Sequence, residues 1–280
     1  MRVTLFGASG LLGEALVREL HEEQLTALSS KDGDLRDAAR IRHLVQSSRP
    51  DCIILAAAYT DVDGCESNRE LALALNCEGA IHVAQSAREQ RVRLIFLSTD
   101  YVFDGTKGFP YEISDPRQPI NAYGESKAQA EKSLLEIIPD VCIVRTSWLF
   151  GSGGKCFPAT ILKAAANRPE VSVVNDQRGS PTYTDDLASA LVQLCRKSVT
   201  GIVHATNAGD CTWYDFASEI VRSSRLPTAV KPVTSSEFPR PARRPTYSVL
   251  SPASLHTRGI RMPTWQDALG RYLGAISPQA

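Results

Sequence analysis

The sequence predicts an α/β fold, a doubly wound parallel sheet followed by a small α/β C-terminal lobe. Three observations predict it. Short apolar runs alternate with amphipathic stretches through the first half, the pattern of βαβ units. The first run, RVTLF, passes directly into a glycine turn and a helical pattern. The texture then loosens at Gly151–Gly154 (GSGG), and shorter elements follow.

Taken in order, strands are expected at about 2–6 (RVTLF), 25–29 (LTALS), 52–56 (CIILA), 94–98 (LIFLS) and 141–146 (VCIVRT). Helices are expected at about 11–20, 37–47, 68–90 and 122–137. The third of these is long, with Leu71, Leu75, Ile81 and Ala84 on one face at helical spacing. Beyond the loose glycines come a helix at 157–167, a strand at 171–174, a helix at 184–196 and a strand at 202–206. Thr212 in TWYDF has the chemistry of an N-cap for a helix at 213–224, with Asp215 as an acid in its first turn. The proline-rich segment 227–248 reads as an extended loop.

The chain has 280 residues, 43% hydrophobic and 22% charged, enough to bury a sizeable core. Its formal net charge is zero, so no global basic field argues for nucleic acid or a membrane surface. No apolar run approaches the roughly 18 residues that span a bilayer. The N-terminus enters a strand at once and does not read as a signal peptide, so a cytoplasmic chain is expected. Seven cysteines form no CxxC pair and read as small buried hydrophobes in a reducing compartment. The histidines are scattered without ligand spacing, and no metal site is predicted.

Strand, Gly7-x-x-Gly10-x-x-Gly13 and helix together make a dinucleotide-binding turn. Gly7 permits the turn, Gly10 lets backbone amides approach a pyrophosphate, and Gly13 lets the helix pack on the strand. Ser9, Leu11 and Leu12 belong to the same candidate cofactor loop. Residues 1–150 are therefore read as a Rossmann-type NAD(P)-binding domain, and 151–280 mainly as a substrate lobe from which later segments can return to the first domain. The second strand ends in Ser29-Ser30-Lys31, where an NAD-preferring site places an acid. A serine with a lysine beside it suits a 2′-phosphate, so NADPH is expected, with NADH left open by the nearby Asp32 and Asp34.

A carbonyl reductase must protonate the substrate oxygen as hydride arrives, and a cation beside a phenol can lower its pKa for the task. Of eight tyrosines, Tyr123 alone has a lysine four residues on, Lys127, which a helix places on the same face. Chance makes such a pair common, so its position carries the argument. The pair opens the helix about 25 residues after strand 94–98, and Thr99 stands at that strand's carboxyl end. Tyr101, Phe103 and Trp148 are placed to stack on a sugar or base. Arg243 and Arg244, in PRPARRPTYS, suit a diphosphate clamp.

The GxxGxxG spacing resembles that of the extended short-chain dehydrogenase/reductases. Within them the chain closely resembles the dTDP-4-dehydrorhamnose reductase family, through GASGLLG, RPDCIILAAAYTDVDGCES, STDYVFDG, YGESKAQAE, RTSWLFG, NDQRGSPTYTDDLA, TWYDFA and PARRPTYS in order. The resemblance implies a Thr99/Tyr123/Lys127 catalytic set and NADPH-dependent reduction of the C4 ketone of a dTDP-6-deoxyhexose. It implies cofactor contacts at Ala56, Ala57, Ala58, Asp34 and Leu35, and substrate contacts at Thr60, Val62, Asp100, Tyr101, Phe103 and Trp148. Ser98-Thr99-Asp100-Tyr101 lacks the glutamate that the related dehydratases carry after the aspartate, which argues against dehydration. The acid-free tail, GRYLGAISPQA, departs from relatives that dimerise around Mg²⁺, so neither that metal nor that dimer is expected, and the chain is read as monomer or homodimer. Two alternatives stay open: a reductase of another keto-deoxysugar nucleotide, and a non-catalytic subunit resembling the methionine adenosyltransferase beta subunit.

Overall fold

The structure is a computed structural model that describes residues 1–276; the last four residues of the acid-free tail lie outside the described residues. The first half runs β1 (Arg2–Phe6), α1 (Leu11–Glu19), β2 (Gln24–Leu28), α2 (Ala38–Ser48), β3 (Cys52–Leu55), α3 (Val62–Ser67), α4 (Arg69–Leu73), α5 (Gly79–Glu89), β4 (Arg93–Thr99), α6 (Ala122–Ile137) and β5 (Cys142–Thr146). The second half runs β6 (Leu149–Phe150), α7 (Phe157–Ala165), β7 (Glu170–Val174), β8 (Arg178–Gly179), β9 (Thr182–Tyr183), α8 (Thr184–Arg196), β10 (Gly201–His204), β11 (Cys211–Thr212), α9 (Trp213–Ser223), β12 (Ala229–Val233), α10 (Ala253–His256) and α11 (Trp265–Ile276).

Six parallel strands form the main sheet in the order β10-β5-β4-β3-β1-β2. The near-continuous apolar runs are explained by burial on both faces. One core gathers Leu12, Leu16, Ile54, Val144, Leu187 and Leu191, joining α1 and α8 to the sheet. The other gathers Phe6, Ile41, Ile53, Val83, Phe96 and Leu134, joining α2, α5 and α6 to the opposite face. Residues 184–204 thus return to the large sheet as α8 and β10. The sheet order reverses direction between β1 and β3, and a crevice opens there at the strands' carboxyl ends.

The remaining C-terminal elements build a lobe around Phe150, Ile161, Val171, Phe216, Trp265 and Tyr272. Thr212 and Asp215 form a full capping box at the start of α9. All seven cysteines are free and buried.

Two expectations are corrected. The long helix at 68–90 is three pieces: α4, a π-helical turn over Ala74–Glu78, and α5. The reason is Asn76, a buried amide on an otherwise apolar stretch. Its side-chain oxygen accepts from the Tyr59 amide at 2.7 Å, and its nitrogen donates to Tyr59 O and Ser126 Oγ, both at 3.0 Å. The extra residue of the π turn aims this amide at the loop after β3. The segment 227–248 is not loop throughout, since β12 pairs in parallel with β7 over five positions. Pro232 is tolerated because this two-stranded sheet leaves edges free.

Candidate active site

The crevice is a cleft of about 590 Å³. At one end stands the glycine turn. Gly7 has φ +96°, and a Cβ there would fall 2.6 Å from the Ala57 amide; one at Gly13 would fall 2.0 Å from Gly7 O. These two are therefore glycine for the turn and for helix–strand contact. Gly10 meets nothing closer than 3.4 Å, and as N-cap of α1 it gives the first-turn amides no side-chain acceptor. That leaves open space and unpaired donors where a dinucleotide's pyrophosphate would lie, so the turn fits the cofactor that its pattern implies. Thr146 Oγ1, buried without a hydrogen-bond partner, lines the same cleft.

At the other end, β4 delivers Thr99 and α6 delivers Tyr123 and Lys127. Asn121 caps α6 by accepting from the Gly124 amide at 2.8 Å, while the Ala122 amide donates to Glu66 Oε1 at 2.8 Å. The helix start is thus tied to α3. The Tyr123 ring meets Tyr101 edge-to-face, with centroids 6.2 Å apart. Thr99 Oγ1 donates to Asp100 Oδ1 at 3.0 Å and accepts from the Tyr101 amide at 3.2 Å.

Electrostatics here follow burial. Burial pushes the Asp100 carboxyl up to about 7, against hydrogen bonds with Ser248 and Thr99. It pushes the Lys127 ammonium down to about 7, with Glu131 opposing. Lys127 Nζ sits 3.9 Å over the Phe96 ring. The expectation of a phenol acidified by Lys127 is corrected: burial, with Asp100, outweighs any such effect and pushes Tyr123 well up. Only its hydrogen bond with Thr99 lowers it. Tyr123 is therefore a neutral O–H donor throughout the physiological range.

Behind this floor lies a buried ion pair. Glu131 Oε1 accepts from Ser98 Oγ at 2.5 Å and Arg145 Nε at 2.9 Å, and Oε2 accepts from Arg145 Nη2 at 2.7 Å. Tyr123, Lys127 and Glu131 share one face of α6 at four-residue spacing.

Of the sequence-derived candidates, Gly7, Ser9, Gly10, Leu11, Leu12, Gly13, Ser30, Ala56, Ala57, Ala58, Thr60, Val62, Thr99, Asp100, Tyr101, Tyr123, Lys127 and Trp148 all line the cleft. The family model described as "RmlD substrate binding domain" matches residues 1–277. The chain belongs to the RmlD substrate binding domain family.

Among its relatives is the spore coat polysaccharide biosynthesis protein SpsK of Bacillus subtilis, 40% identical, with 97% of this chain and 96% of that protein covered. The dTDP-4-dehydrorhamnose reductase of Streptomyces griseus is 40% identical, with 98% and 93% covered. The crystal structure of dTDP-4-dehydrorhamnose reductase from Bacillus anthracis in complex with NADP superimposes with a TM-score of 0.95 at 38% identity, covering 98% of this chain and 99% of that one.

Against this RmlD-type cleft, several candidates fall outside the lining. Ser29, Lys31, Asp34 and Leu35 do not line it. Ser29 Oγ donates to Asp32 at 2.8 Å, Asp34 accepts from Arg36, and Leu35 is buried with its carbonyl against His82 Nδ1 at 2.8 Å. Phe103 is fully buried and stacked on Tyr111 at 4.2 Å between centroids, so it is core. Arg244 donates to Asp63 Oδ1 at 2.5 Å and to Ala242 O at 2.6 Å, which ties its loop to α3. Arg243 is exposed and also outside the lining.

Trp148 lines the cleft but does not offer an open face. Trp213 lies parallel to it at 3.5 Å, and a Cβ at Gly179 would fall 2.5 Å from the indole. Its backbone is left-handed, φ +47°, a strained state for a bulky side chain that aims the ring inward. Sequence reasoning missed Trp213, Lys155 and Asn76. Trp213 was legible only as the residue after an N-cap, and Lys155 only as a basic residue after a glycine run.

Proposed function

We propose that this chain reduces the C4 ketone of dTDP-4-dehydro-6-deoxy-L-mannose to give dTDP-L-rhamnose, with NADPH as cofactor and NADH as a lesser one. It is an oxidoreductase of nucleotide-sugar biosynthesis. One observation carries the reading: a glycine turn and a Thr99–Tyr123–Lys127 set line the two ends of a single cleft. Residues of β1 to β5 with α8 and β10 hold the cofactor, and the rest of 151–276 closes over the sugar nucleotide.

The nicotinamide supplies a hydride when bound. The Leu11 and Leu12 amides would hold its pyrophosphate, the Gly10 amide being bonded to Gly7 O, and Ala56–Ala58 wall the turn. Tyr123, kept neutral by burial, gives its proton to the ketone oxygen, and Thr99 donates a second hydrogen bond to that oxygen. Lys127, one turn along α6 with its Nζ over Phe96, would hold the nicotinamide ribose hydroxyls. Thr60, Val62, Asp100, Tyr101 and Trp148 hold the sugar. The loop bearing Thr60 is fixed by Asn76 through Tyr59.

Among the described residues no helix is long and apolar enough to cross a membrane. Seven buried free thiols suit a cytoplasmic, reducing setting, and the chain acts as a monomer or homodimer. The test follows NADPH absorbance with a panel of 4-keto-6-deoxysugar nucleotides, then repeats it with NADH. The dTDP-4-dehydrorhamnose substrate is expected to be turned over fastest. Absence of NADPH oxidation with every ketone would overturn the reading, and faster turnover of a different ketone would reassign the substrate.

A further inference from the structure

We propose that Lys155 is the cation that holds the diphosphate of the sugar nucleotide, an inference that rests on the reductase reading above. Two diphosphates must enter this cleft, one on the cofactor and one on the sugar. The glycine turn provides amides for the first. The second needs its own charge, and neither arginine expected to provide it lines the cleft: Arg244 is paired with Asp63 at 2.5 Å, and Arg243 is exposed outside the lining.

Among the described residues the cleft is lined by two cationic side chains, Lys127 and Lys155. Lys127 is 2% exposed and held against Phe96, deep beside Tyr123. Lys155 is exposed, and among the described residues it has no hydrogen-bond or ion-pair partner. Among the described residues, Asp100 is the one acid that lines the cleft, and it lies at the far, catalytic end.

Position then selects between the two diphosphates. Lys155 follows a turn in which Gly153 has φ +94° and a Cβ on it would fall 1.8 Å from Glu14 Oε2, while a Cβ on Gly154 would fall 3.3 Å from the Leu11 side chain. It precedes Phe157, whose ring lies 4.5 Å from Trp213, itself stacked on Trp148. The lysine therefore rises where the lobe's aromatic rings meet the first turn of α1. In a pyranose C4 and C1 are opposite corners. With the ketone at Tyr123, the diphosphate on C1 points away from α6 and toward the lobe wall that carries Lys155. A lysine serves as a point charge there, adaptable to either phosphate.

The experiment compares Lys155→Ala and Lys155→Arg with Lys163→Ala, an exposed charge control on α7 outside the cleft. Binding of dTDP, thymidine and NADP⁺ is measured by calorimetry, and KM for sugar nucleotide and NADPH by absorbance. Lys155→Ala should weaken dTDP binding and raise the sugar-nucleotide KM by about tenfold or more, the worth of one charge-assisted contact. Thymidine and NADP⁺ binding should stay within about twofold, and Lys155→Arg should recover most of the loss. Unchanged dTDP affinity overturns the proposal. So does a loss confined to NADP⁺, which would assign the lysine to the cofactor. Lys155-dependent dTDP binding without turnover of any ketone upholds the inference while sinking the reductase reading; turnover that is indifferent to Lys155 does the reverse.

Discussion

The cleft has a floor and a rim, and they are built by different means. The floor, Thr99, Asp100, Tyr123 and Lys127, comes from one long strand and one 16-residue helix with a buried ion pair beneath. The rim, Trp148, Lys155 and Trp213, comes from two-residue strands, a glycine turn and a helix start more than 50 residues apart in sequence. The floor is held by regular hydrogen bonding and full burial. The rim is held by ring contacts and strained backbone. Chemistry that needs fixed atoms sits on the first, and recognition that must admit and release a large ligand sits on the second.

The largest test of this contrast removes the floor's support. Glu131→Gln leaves the Arg145 guanidinium, 1% exposed, without its counter-charge. Breaking one partner of a buried pair costs about 3–5 kcal/mol, so the unfolding temperature should drop by roughly 10 °C. A drop under about 2 °C in calorimetry would mean the floor does not depend on that pair. Next comes the chemistry itself. Tyr123→Phe keeps the ring against Tyr101 and removes the proton, so kcat should fall at least about a hundredfold with NADPH affinity nearly intact. Near-normal turnover would end the role of Tyr123 as the acid.

Legibility in the sequence divides along the same line. The strands, α6 and the Tyr123–Lys127 pair were readable because period, capping and spacing are local properties, and Asn121 and Thr212 cap the helices they precede. Phe103 was misread because an aromatic after a catalytic strand looks the same whether it faces ligand or Tyr111. Arg244 was misread because its partner, Asp63, lies 181 residues away. The π turn at Ala74–Glu78 was hidden because Asn76 finds its partners only after folding. The predicted direction of the Tyr123 shift failed for a related reason: desolvation belongs to the assembled cleft, whereas the Tyr-x-x-x-Lys spacing belongs to one helix.

The rim gives a smaller effect of a different kind. Trp213→Leu removes the indole that backs Trp148 while keeping an apolar side chain between Phe157 and the cleft. Trp148 then loses its fixed position, and the sugar-nucleotide KM should rise about tenfold while kcat changes less than about threefold. Trp213→Phe should recover part of the KM. A matching fall in kcat, with KM unmoved, would place Trp213 with the floor and erase the contrast.

The finest comparison sets one acid of the floor against Asp63 of α3, outside it. Asp100 is held up to about 7 by burial. The unfolded chain ionises this carboxyl from about pH 4, and the folded chain keeps its proton to about 7. Between these values the folded state binds more protons, so this group's contribution to stability falls as pH rises and levels off above 7. Asp63 behaves oppositely. Burial pushes it up, but Arg244 and the Ala242 amide outweigh that and hold it below the usual carboxylate range. Its contribution is present at neutral pH and is lost as pH falls through its folded value. Asp100→Asn should therefore stay close to the parent near pH 4.5 and unfold at a higher temperature at pH 8, whereas Asp63→Asn should unfold lower at pH 8 and converge with the parent in acid. Lys127, held down to about 7, moves stability only above that pH, so it leaves the lower window clean. A flat difference between Asp100→Asn and the parent from pH 4.5 to 8 would show the carboxyl ionised throughout, and the floor would then be as wet as the rim.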